Sequence, residues 1–244
     1  MRVGEGARQG RGGVRRFPLA ERARLLSAVD VFERLPEGQL WEIASASEAR
    51  EYAEGEPVFG PGTGCNRVFV LERGRVRLYR SYPGGREITF AVLARETVFG
   101  RLAPRAGSQG MHACALAPSL VSSLGQAQLE DLARRRPEVG LGLARLADYR
   151  LSLSEDWAAG LTGKEVPARL AGLLLRLVEH EGVVTREGHK IPTRYTHALL
   201  GTMVGANRDT VTRAFAVLKE AGAVELRDRL ILVPDLGALE RAAG

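Results

Sequence analysis

The residues most capable of specific chemistry lie close together between positions 207 and 213. Arg208 and Arg213 carry guanidinium groups, Asp209 carries a carboxylate and Thr212 carries a hydroxyl. When a helix presents such groups at its N-terminal end, they can hydrogen-bond to base edges in the major groove of DNA. These four residues are therefore the candidate contacts to DNA bases.

Apolar spacing predicts one helix on each side of a two-residue turn at Gly205 and Ala206. The residues that carry this spacing are Leu199, Leu200, Met203 and Val204 before the turn, and Val211, Phe215 and Leu218 after it. Short-turn helix pairs include both the DNA-binding helix-turn-helix and plain corners of all-α domains. The spacing alone does not choose between these two interpretations.

Local residues predict the bounds of this helix pair. Asn207 is suited to be the N-cap of the second helix, because its side-chain oxygen can accept from a backbone amide of the first turn. Gly222 is suited to end that helix. Gly201 and Gly205 let the two helices cross closely, and Val211 fills the angle between them.

The run from Gly205 to Phe215, Gly-Ala-Asn-Arg-Asp-Thr-Val-Thr-Arg-Ala-Phe, resembles the recognition helix of the cyclic-AMP receptor and fumarate-nitrate regulator (CRP/FNR) family, written G-x-S-R-E-T-V-x-R-x-L. The resemblance implies that Arg208 and Arg213 donate to guanine edges. It implies that Asp209, one methylene shorter than the usual glutamate, accepts from a cytosine amino group. The residues expected to contact DNA phosphates are Thr196, Asn207 and Thr210.

The period changes from helix to strand between Tyr52 and Leu124. Apolar residues at Val76 and Leu78 alternate with polar ones, and the set Ile88, Phe90 and Val92 repeats the pattern. Glycines near positions 64, 74 and 84 suit tight turns between short antiparallel strands. These signals predict a small β-roll or barrel.

Three strings in this region resemble the cyclic-nucleotide-binding fold of the same family. They are Val68-Phe-Val-Leu-Glu-Arg-Gly-Arg-Val-Arg-Leu-Tyr, Gly85-Arg-Glu-Ile and Val98-Phe-Gly. Before them, residues 22–48 are predicted to be helical with a break at Leu35-Pro36-Glu37, which resembles the opening of that fold. Residues 1–20 form a Gly- and Arg-rich tail that we expect to be disordered, so this domain is expected to span residues 21–125.

Helical spacing returns at residues 126–161, which we interpret as a dimerisation helix. Val139, Leu143, Leu146, Leu153 and Trp157 follow alternating steps of four and three, with Arg150 in the missing place. This stripe can form the seam of a dimer, as the family resemblance favours, or it can pack on the chain's own β-roll. Both interpretations are compatible with the spacing.

A second domain is predicted for residues 162–244, after a hinge at Thr162-Gly163-Lys164. Residues 168–180 form an amphipathic core helix with an apolar face at Leu170, Leu173, Leu174, Leu177 and Val178. Residues 224–233 are expected to form a two-stranded wing that turns near Asp228, followed by a last helix. The predicted fold class is therefore α+β, with an N-terminal antiparallel β-roll, a long helix and a C-terminal winged helix-turn-helix.

Family members that bind cyclic AMP use a cassette close to F-G-E-L-A and a later R-S/T-A step. There a carboxylate accepts from the ribose 2′-hydroxyl, while a guanidinium and backbone amides hold the phosphate. This chain has Arg101 in place of the glutamate, and Gln109 and Gly110 in place of the later arginine and hydroxyl residue. The degenerate cassette comprises Phe99, Gly100, Arg101, Leu102, Arg105, Gln109 and Gly110. We expect no cyclic-AMP binding in the usual mode, although Arg105 could supply a phosphate partner.

The composition limits which partners, cofactors and cellular locations the sequence allows. The formal charge of +6 suits a phosphate-rich partner, but many basic proteins never touch nucleic acid. Cys65 and Cys114 are far apart and lack the spacing of a zinc site or a disulfide framework. No membrane span or secretory signal is evident. We therefore expect a cytoplasmic protein without a metal or other cofactor.

Two other function classes fit the sequence less well. A cupin-like metal enzyme needs two or three histidines converging from strands, but the β region contains only His112. A nucleotide-sensing subunit of a kinase or channel is disfavoured, because such a subunit would not need the winged helix that the sequence predicts. The family resemblance implies a non-enzymatic regulator that forms a homodimer on palindromic DNA and has RNA polymerase as a partner, with an unknown effector or none.

Overall fold

The computed structural model describes residues 17–61, 67–94, 96–100 and 110–244. The chain divides into two compact units, of which the first comprises Met1–Arg77 and Leu93–Ala144 and the second comprises Leu78–Val92 and Arg145–Gly244. Most of the expected disordered tail lies outside the described residues, but helix α1 already begins at Leu19. None of the helices described is long and apolar enough to cross a membrane.

The first unit opens with two helices, α1 (Leu19–Leu26) and α2 (Glu37–Ala46). A proline precedes each of them, which suits the start of a helix because proline fixes φ and has no amide to leave unsatisfied. Leu26 and Phe32 are fully buried. The predicted helical opening is confirmed, but the break is longer than predicted, since residues 27–36 lie between the two helices.

The β-roll follows as predicted. Its described strands are β1 (Glu48–Tyr52), β2 (Pro57–Phe59), β3 (Arg67–Arg73), β4 (Val76–Tyr82), β5 (Arg86–Leu93), β6 (Thr97–Gly100), β7 (Met111–Ala115) and β8 (Ser119–Gly125). They form one sheet in the order β1-β8-β3-β6 and another in the order β2-β7-β4-β5. In the first sheet, β3 lies between β8 and β6 and pairs antiparallel with both.

Two of the predicted turn glycines, Gly74 and Gly84, have positive φ values of 100° and 81°. A Cβ atom at Gly74 would lie 2.6 Å from the Pro118 carbonyl oxygen, so this turn has room only for glycine. The third predicted position, Gly64, lies outside the described residues.

A buried polar cluster joins separate segments of the first unit. The guanidinium of Arg22 donates to the Ala44 carbonyl at 2.6 Å, the Ser47 hydroxyl at 2.6 Å and the Ser122 hydroxyl at 2.8 Å. It also forms an ion pair with Glu72 at 3.2 Å, and both charged side chains are buried. The cluster therefore connects α1 with the end of α2 and with strands β3 and β8.

The predicted dimerisation segment forms two helices, α3 (Gln126–Arg135) and α4 (Pro137–Gly163). The break falls at Arg136, whose φ and ψ are −137° and 87°. The ring of Pro137 disfavours a helical conformation in the residue before it, which explains the break. Helix α4 continues through Gly163 and the next helix begins at Val166, so the break between them includes only the last residue, Lys164, of the predicted hinge.

The second unit is built around the winged helix-turn-helix. Its elements after α4 are α5 (Val166–Glu181), β9 (Val183–Thr185), β10 (Gly188–Ile191), α6 (His197–Val204), α7 (Arg208–Glu220), β11 (Glu225–Arg227), β12 (Leu230–Val233) and α8 (Leu236–Ala243). The strands form a sheet in the order β11-β12-β10-β9. All five predicted apolar residues of α5 are buried, so the prediction of a core helix is confirmed.

The strand alternation predicted for β5 has the wrong phase. Thr89 is only 4% exposed, whereas Phe90 is 47% exposed. The Thr89 hydroxyl lies 2.7 Å from the hydroxyl of Thr202 on α6, which gives this buried polar group its partner. Phe90 lies outside instead, with the guanidinium of Arg80 5.9 Å from its ring centroid.

Helix α4 has one inward and one outward face. Of the residues of the predicted dimer seam, Val139 is fully buried, and the Trp157 ring donates to the Met203 carbonyl at 2.8 Å. Leu143, Leu146 and Leu153 are half-buried. Val139 and Trp157 therefore have partners within the chain, whereas the three leucines between them remain partly exposed, so both interpretations of this stripe stay predictions.

Candidate nucleic-acid interface

The turn between α6 and α7 is as tight as its two glycines predict. Gly205 has a φ of 68° in the left-handed region, and the Ala206 amide donates to the Gly201 carbonyl at 2.9 Å. A Cβ atom at Gly201 would lie only 2.6 Å from the Ala206 carbonyl oxygen. The absence of a side chain at Gly201 therefore lets the turn close against α6.

Capping groups begin and end both helices. The Thr196 hydroxyl accepts from the Leu199 amide at 3.1 Å, and the Asn207 side chain accepts from the Thr210 amide at 2.8 Å. Helix α7 ends at Glu220, and Gly222 follows with a φ of 69°. The predictions of Asn207 as the N-cap and Gly222 as the stop are confirmed.

Side chains from elsewhere in the second unit cap the C-terminal end of α6. The Trp157 ring donates to the Met203 carbonyl, and Arg169 donates to the Val204 carbonyl at 3.0 Å. The last carbonyls of a helix have no partner within the helix, so these two donors satisfy groups that would otherwise need water. They hold α6 in place beneath α7.

Helix α7 has an apolar face and a polar face. Val211, Ala214, Phe215 and Leu218 are buried. The four predicted base contacts, Arg208, Asp209, Thr212 and Arg213, are exposed. A recognition helix needs this division, because one face must hold the helix on the domain while the other meets DNA.

The Thr212 hydroxyl is already engaged within the chain. It lies 3.0 Å from the Arg208 carbonyl and 2.9 Å from Nδ1 of His197. The ring of His197 also stacks on Phe215, with the centroids 5.3 Å apart. With both contacts kept, the hydroxyl can still accept a hydrogen bond from a base amino group but cannot donate one, so the contact of Thr212 with a base stays a prediction.

His197 was not among the residues singled out in the sequence. It is the first residue of α6 and half-buried. Burial lowers the pKa of its imidazole below the ordinary 6.5, and the positive charge of Arg208 lowers it further. The sequence signal that could have found it is its place directly after the Thr196 cap.

The predicted phosphate contacts retain donors that capping does not use. The hydroxyls of Thr196 and Thr210 act as acceptors within the chain, the latter from Arg213 at 3.3 Å. Each hydroxyl also carries a proton, and Asn207 caps through its oxygen and keeps its amino group. A phosphate oxygen, which only accepts, matches all three remaining donors.

The wing turns where it was predicted to turn. Asp228 and Arg229 have φ values of 52° and 66° between β11 and β12. Arg227 pairs with the carboxylates of Glu187 and Glu225. Hydrogen bonds to these carboxylates raise the pKa of its guanidinium, and the bond to Glu187 has the larger effect. This arginine is therefore engaged within the wing, which leaves the charged residues of α7 as the stronger candidates for DNA contact.

Only part of the degenerate effector cassette lies in the described chain. Phe99 is buried and stacks on Phe69 with ring centroids 5.5 Å apart. Gly100 and Gly110 have φ values of 102° and 117°. The remaining cassette residues, which are Arg101, Leu102, Arg105 and Gln109, lie outside the described residues.

His112 and Cys114 of the β-roll belong to no metal-binding group among the described residues. His112 and Cys114 are both half-buried on β7. Within the described ranges, no three histidine, cysteine, aspartate or glutamate side chains are grouped as a metal ion would require. Cys65 lies outside the described residues.

A winged helix-turn-helix with an exposed polar face, carried by a chain that also folds a β-roll, defines a class of DNA-binding regulator. Residues 168–242 match the Crp-like helix-turn-helix domain, and residues 49–136 match the cyclic nucleotide-binding domain. The chain belongs to the CRP/FNR family of DNA-binding transcriptional regulators.

Known proteins resemble this chain over most of its length. The global nitrogen regulator of Synechocystis sp. is 30% identical over 187 residues, which cover 75% of this chain and 83% of that protein. The CRP-like cAMP-activated global transcriptional regulator of Mycobacterium tuberculosis is 27% identical over 228 residues, covering 90% and 98%. The structure of a CooA mutant from Carboxydothermus hydrogenoformans shares the fold, with a TM-score of 0.73, 22% identity and coverage of 83% and 90%.

Proposed function

We propose that this regulator binds a two-fold symmetric DNA site as a homodimer and reads base edges with Arg208, Asp209 and Arg213. The observation that carries the proposal is the exposed polar face at the start of α7, opposite a buried apolar face. In a helix-turn-helix dimer the two half-sites lie about one helical turn apart. The same spacing is expected here.

The chemistry of the exposed residues assigns their roles. A planar guanidinium matches the O6 and N7 acceptors of guanine, which suits Arg208 and Arg213. Asp209 can accept from a cytosine amino group or hold one of the two arginines in position. Thr196, Asn207 and Thr210 offer donors suited to phosphate, which fix the register on DNA without reading sequence.

The outward face of α4 supplies the dimer seam in this proposal. Its residues recur in alternating steps of three and four and are all exposed: Ala144, Ala147, Leu151, Ser154, Ala158 and Leu161. This is the heptad spacing of a coiled coil, and small side chains let two helix backbones approach closely. A second copy of α4 is the partner that this spacing fits.

The seam is tested by sedimentation of the protein at micromolar concentration. Leu151 is 56% exposed, and we expect Leu151→Glu to shift the protein toward monomer because it places two like charges at the seam. Leu226→Glu is the matched control, since Leu226 is 50% exposed on β11. A monomeric wild-type protein, or a Leu151→Glu variant that remains as dimeric as the control, would reject this seam.

Base reading is tested by selecting bound sequences from random duplex DNA. Recovery of an inverted repeat supports the dimer and the symmetry together. On that site, Arg208→Ala should cost about 1–3 kcal/mol and relax the preference at one base pair of each half-site, whereas Thr210→Ala should weaken all sequences alike. Equal losses for Arg208→Ala and Arg213→Ala on specific and scrambled DNA would show that these residues bind only phosphate.

The identity of the effector is the part of the function that the relatives support least. One relative is named as cAMP-activated and another as a nitrogen regulator, so relatives of similar identity carry different descriptions. The substitutions at Arg101 and Gln109 remove the carboxylate and guanidinium that cyclic AMP requires. The proposal is therefore a regulator without cyclic-AMP binding in the usual mode, without enzymatic activity, and with RNA polymerase as a partner.

A further inference from the structure

His197 joins the two helices of the helix-turn-helix at the edge of the DNA-reading face. Its Nδ1 atom lies 2.9 Å from the Thr212 hydroxyl, and its ring stacks on the buried Phe215 at an interplanar angle of 30°. Thr212 is exposed beside Arg208 and Arg213 on α7. A titratable ring is thus fixed next to the candidate base contacts.

The hydrogen bonds around Thr212 determine which ring nitrogen carries a proton. The Thr212 hydroxyl has one proton, and it lies 3.0 Å from the Arg208 carbonyl, which can only accept. Both contacts of this hydroxyl are satisfied together only when it donates to the carbonyl and accepts from Nδ1 of His197. The neutral ring is then protonated on Nδ1, and a second proton adds at Nε2 without breaking either bond.

We propose that His197 couples DNA binding to proton uptake, so that its imidazole becomes a cation when DNA is bound at this face. This inference rests on the proposed function, because it needs the phosphates of a bound duplex to lie near the exposed start of α7. Protonation at Nε2 adds one positive charge and leaves the contact between α6 and α7 intact. The proton therefore changes the charge of the interface without changing its shape.

The charges around His197 explain why the free protein holds the ring neutral. Helix α6 carries no other charged residue, and the charged side chains at the start of α7 are Arg208, Asp209 and Arg213. Burial and then Arg208 lower the pKa of His197 below 6.5. A polyanion opposite the ring acts in the other direction, because a nearby negative charge favours the protonated form.

The sign of the pH dependence follows from these two states. The pKa of His197 is higher in the DNA complex than in the free protein, so binding takes up protons. Affinity therefore rises as pH falls through the pKa of the complex, and it levels off below the pKa of the free protein, which lies under 6.5. Each protomer contributes at most about a tenfold change in affinity per pH unit.

The experiment measures the affinity of the full-length protein for its selected duplex between about pH 5 and about pH 8, the range in which histidine titrates, at constant ionic strength. The wild type should bind more tightly at the acidic end. His197→Asn keeps an N–H donor where Nδ1 lies but cannot titrate, so it should lose the pH dependence. His189→Asn, on strand β10, is the matched control and should retain it.

The salt dependence of DNA affinity is a second test for the positive charge that protonation adds to His197. The slope of log affinity against log salt concentration steepens by about 0.9 for each phosphate neutralised. In the wild type it should therefore be steeper at acidic than at alkaline pH. His197→Asn should show one slope at both pH values.

A measurement on the unmodified protein does not depend on any variant folding. The ring signals of His197 in a nuclear magnetic resonance titration should report a higher pKa with the duplex than without it. An unchanged or lower pKa in the complex, or a His197→Asn variant with wild-type pH dependence, overturns the inference. Failure to recover any specific site at any pH would instead overturn the proposed function, so the two failures are distinguishable.

Discussion

The substitution Gly201→Ala tests how tightly α6 and its turn are packed. Gly201 is a buried residue within α6, and a Cβ atom there would lie 2.6 Å from the Ala206 carbonyl oxygen. Real Cβ contacts are essentially never this short. The contacting atom belongs to the backbone and cannot rotate away, so the turn or one of the helices must shift.

Two opposing effects set the magnitude. Alanine is favoured over glycine in a helix interior by about 1 kcal/mol, which would stabilise the variant. Forcing an extra carbon into a closely packed contact costs about 1–3 kcal/mol, and here a whole turn has to move. We expect the clash to prevail, so that the free energy of unfolding falls by up to about 2 kcal/mol after the helix preference is subtracted.

Gly172→Ala is the matched control in α5. Gly172 also lies within a helix, but a Cβ atom there would find only the Arg176 guanidinium at 3.9 Å. The same substitution should therefore raise the free energy of unfolding by about 0.5–1 kcal/mol. The two variants are compared by urea denaturation and by their affinity for the selected duplex, which Gly201→Ala should reduce. A Gly201→Ala protein as stable as the Gly172→Ala protein would refute the packing argument.

Three further predictions address the caps of the helix pair and the effector cassette. Trp157→Phe should lower the free energy of unfolding by about 1–3 kcal/mol in urea denaturation, because it leaves the Met203 carbonyl without its side-chain donor; no change would show that water replaces the ring. Asn207→Ala should cost about 1 kcal/mol through loss of the cap to the Thr210 amide, and Asn207→Ser should restore most of it in the same assay. Cyclic AMP should leave the melting temperature unchanged, whereas a ligand at 100 times its dissociation constant adds about 2.7 kcal/mol, so a saturable melting shift would contradict the interpretation of Arg101 and Gln109.

The elements set by neighbouring residues were predictable from the sequence. The bounds of α7 depend on Asn207 and Gly222, and the turn before it depends on Gly205, which are all local signals. The division of α7 into buried and exposed faces followed from the spacing of Val211 and Phe215. The exposure of Arg208 and its neighbours was therefore predictable as well.

Features that depend on a distant partner were not predictable from spacing. Thr89 can be buried because its hydroxyl shares a hydrogen bond with the hydroxyl of Thr202, which lies 113 residues later in the chain. Helix α4 carries two stripes of suitable spacing, of which one is buried or half-buried, from Val139 to Trp157, and the other is exposed. The spacing could not show which stripe would remain exposed.

The position of the His197 side chain also depends on a distant partner and was not predictable from spacing. Its neighbours Thr212 and Phe215 lie on α7, and only the crossing of the two helices brings the ring onto them. The sequence placed His197 at the start of α6 but gave no direction for its side chain. The prediction for Thr212 failed to include this contact for the same reason.

The buried cluster around Arg22 bears on how the first unit folds. Its partners lie 22 residues away at Ala44, 50 away at Glu72 and 100 away at Ser122. A buried guanidinium with only some of these partners is costly, since an uncompensated charge in a dry interior destabilises a protein by about 3–5 kcal/mol. Intermediates that assemble α1 before β3 and β8 are therefore penalised. Non-local pairing of this kind slows folding and makes it cooperative, so we expect the helices and strands of the first unit to form in one concerted step.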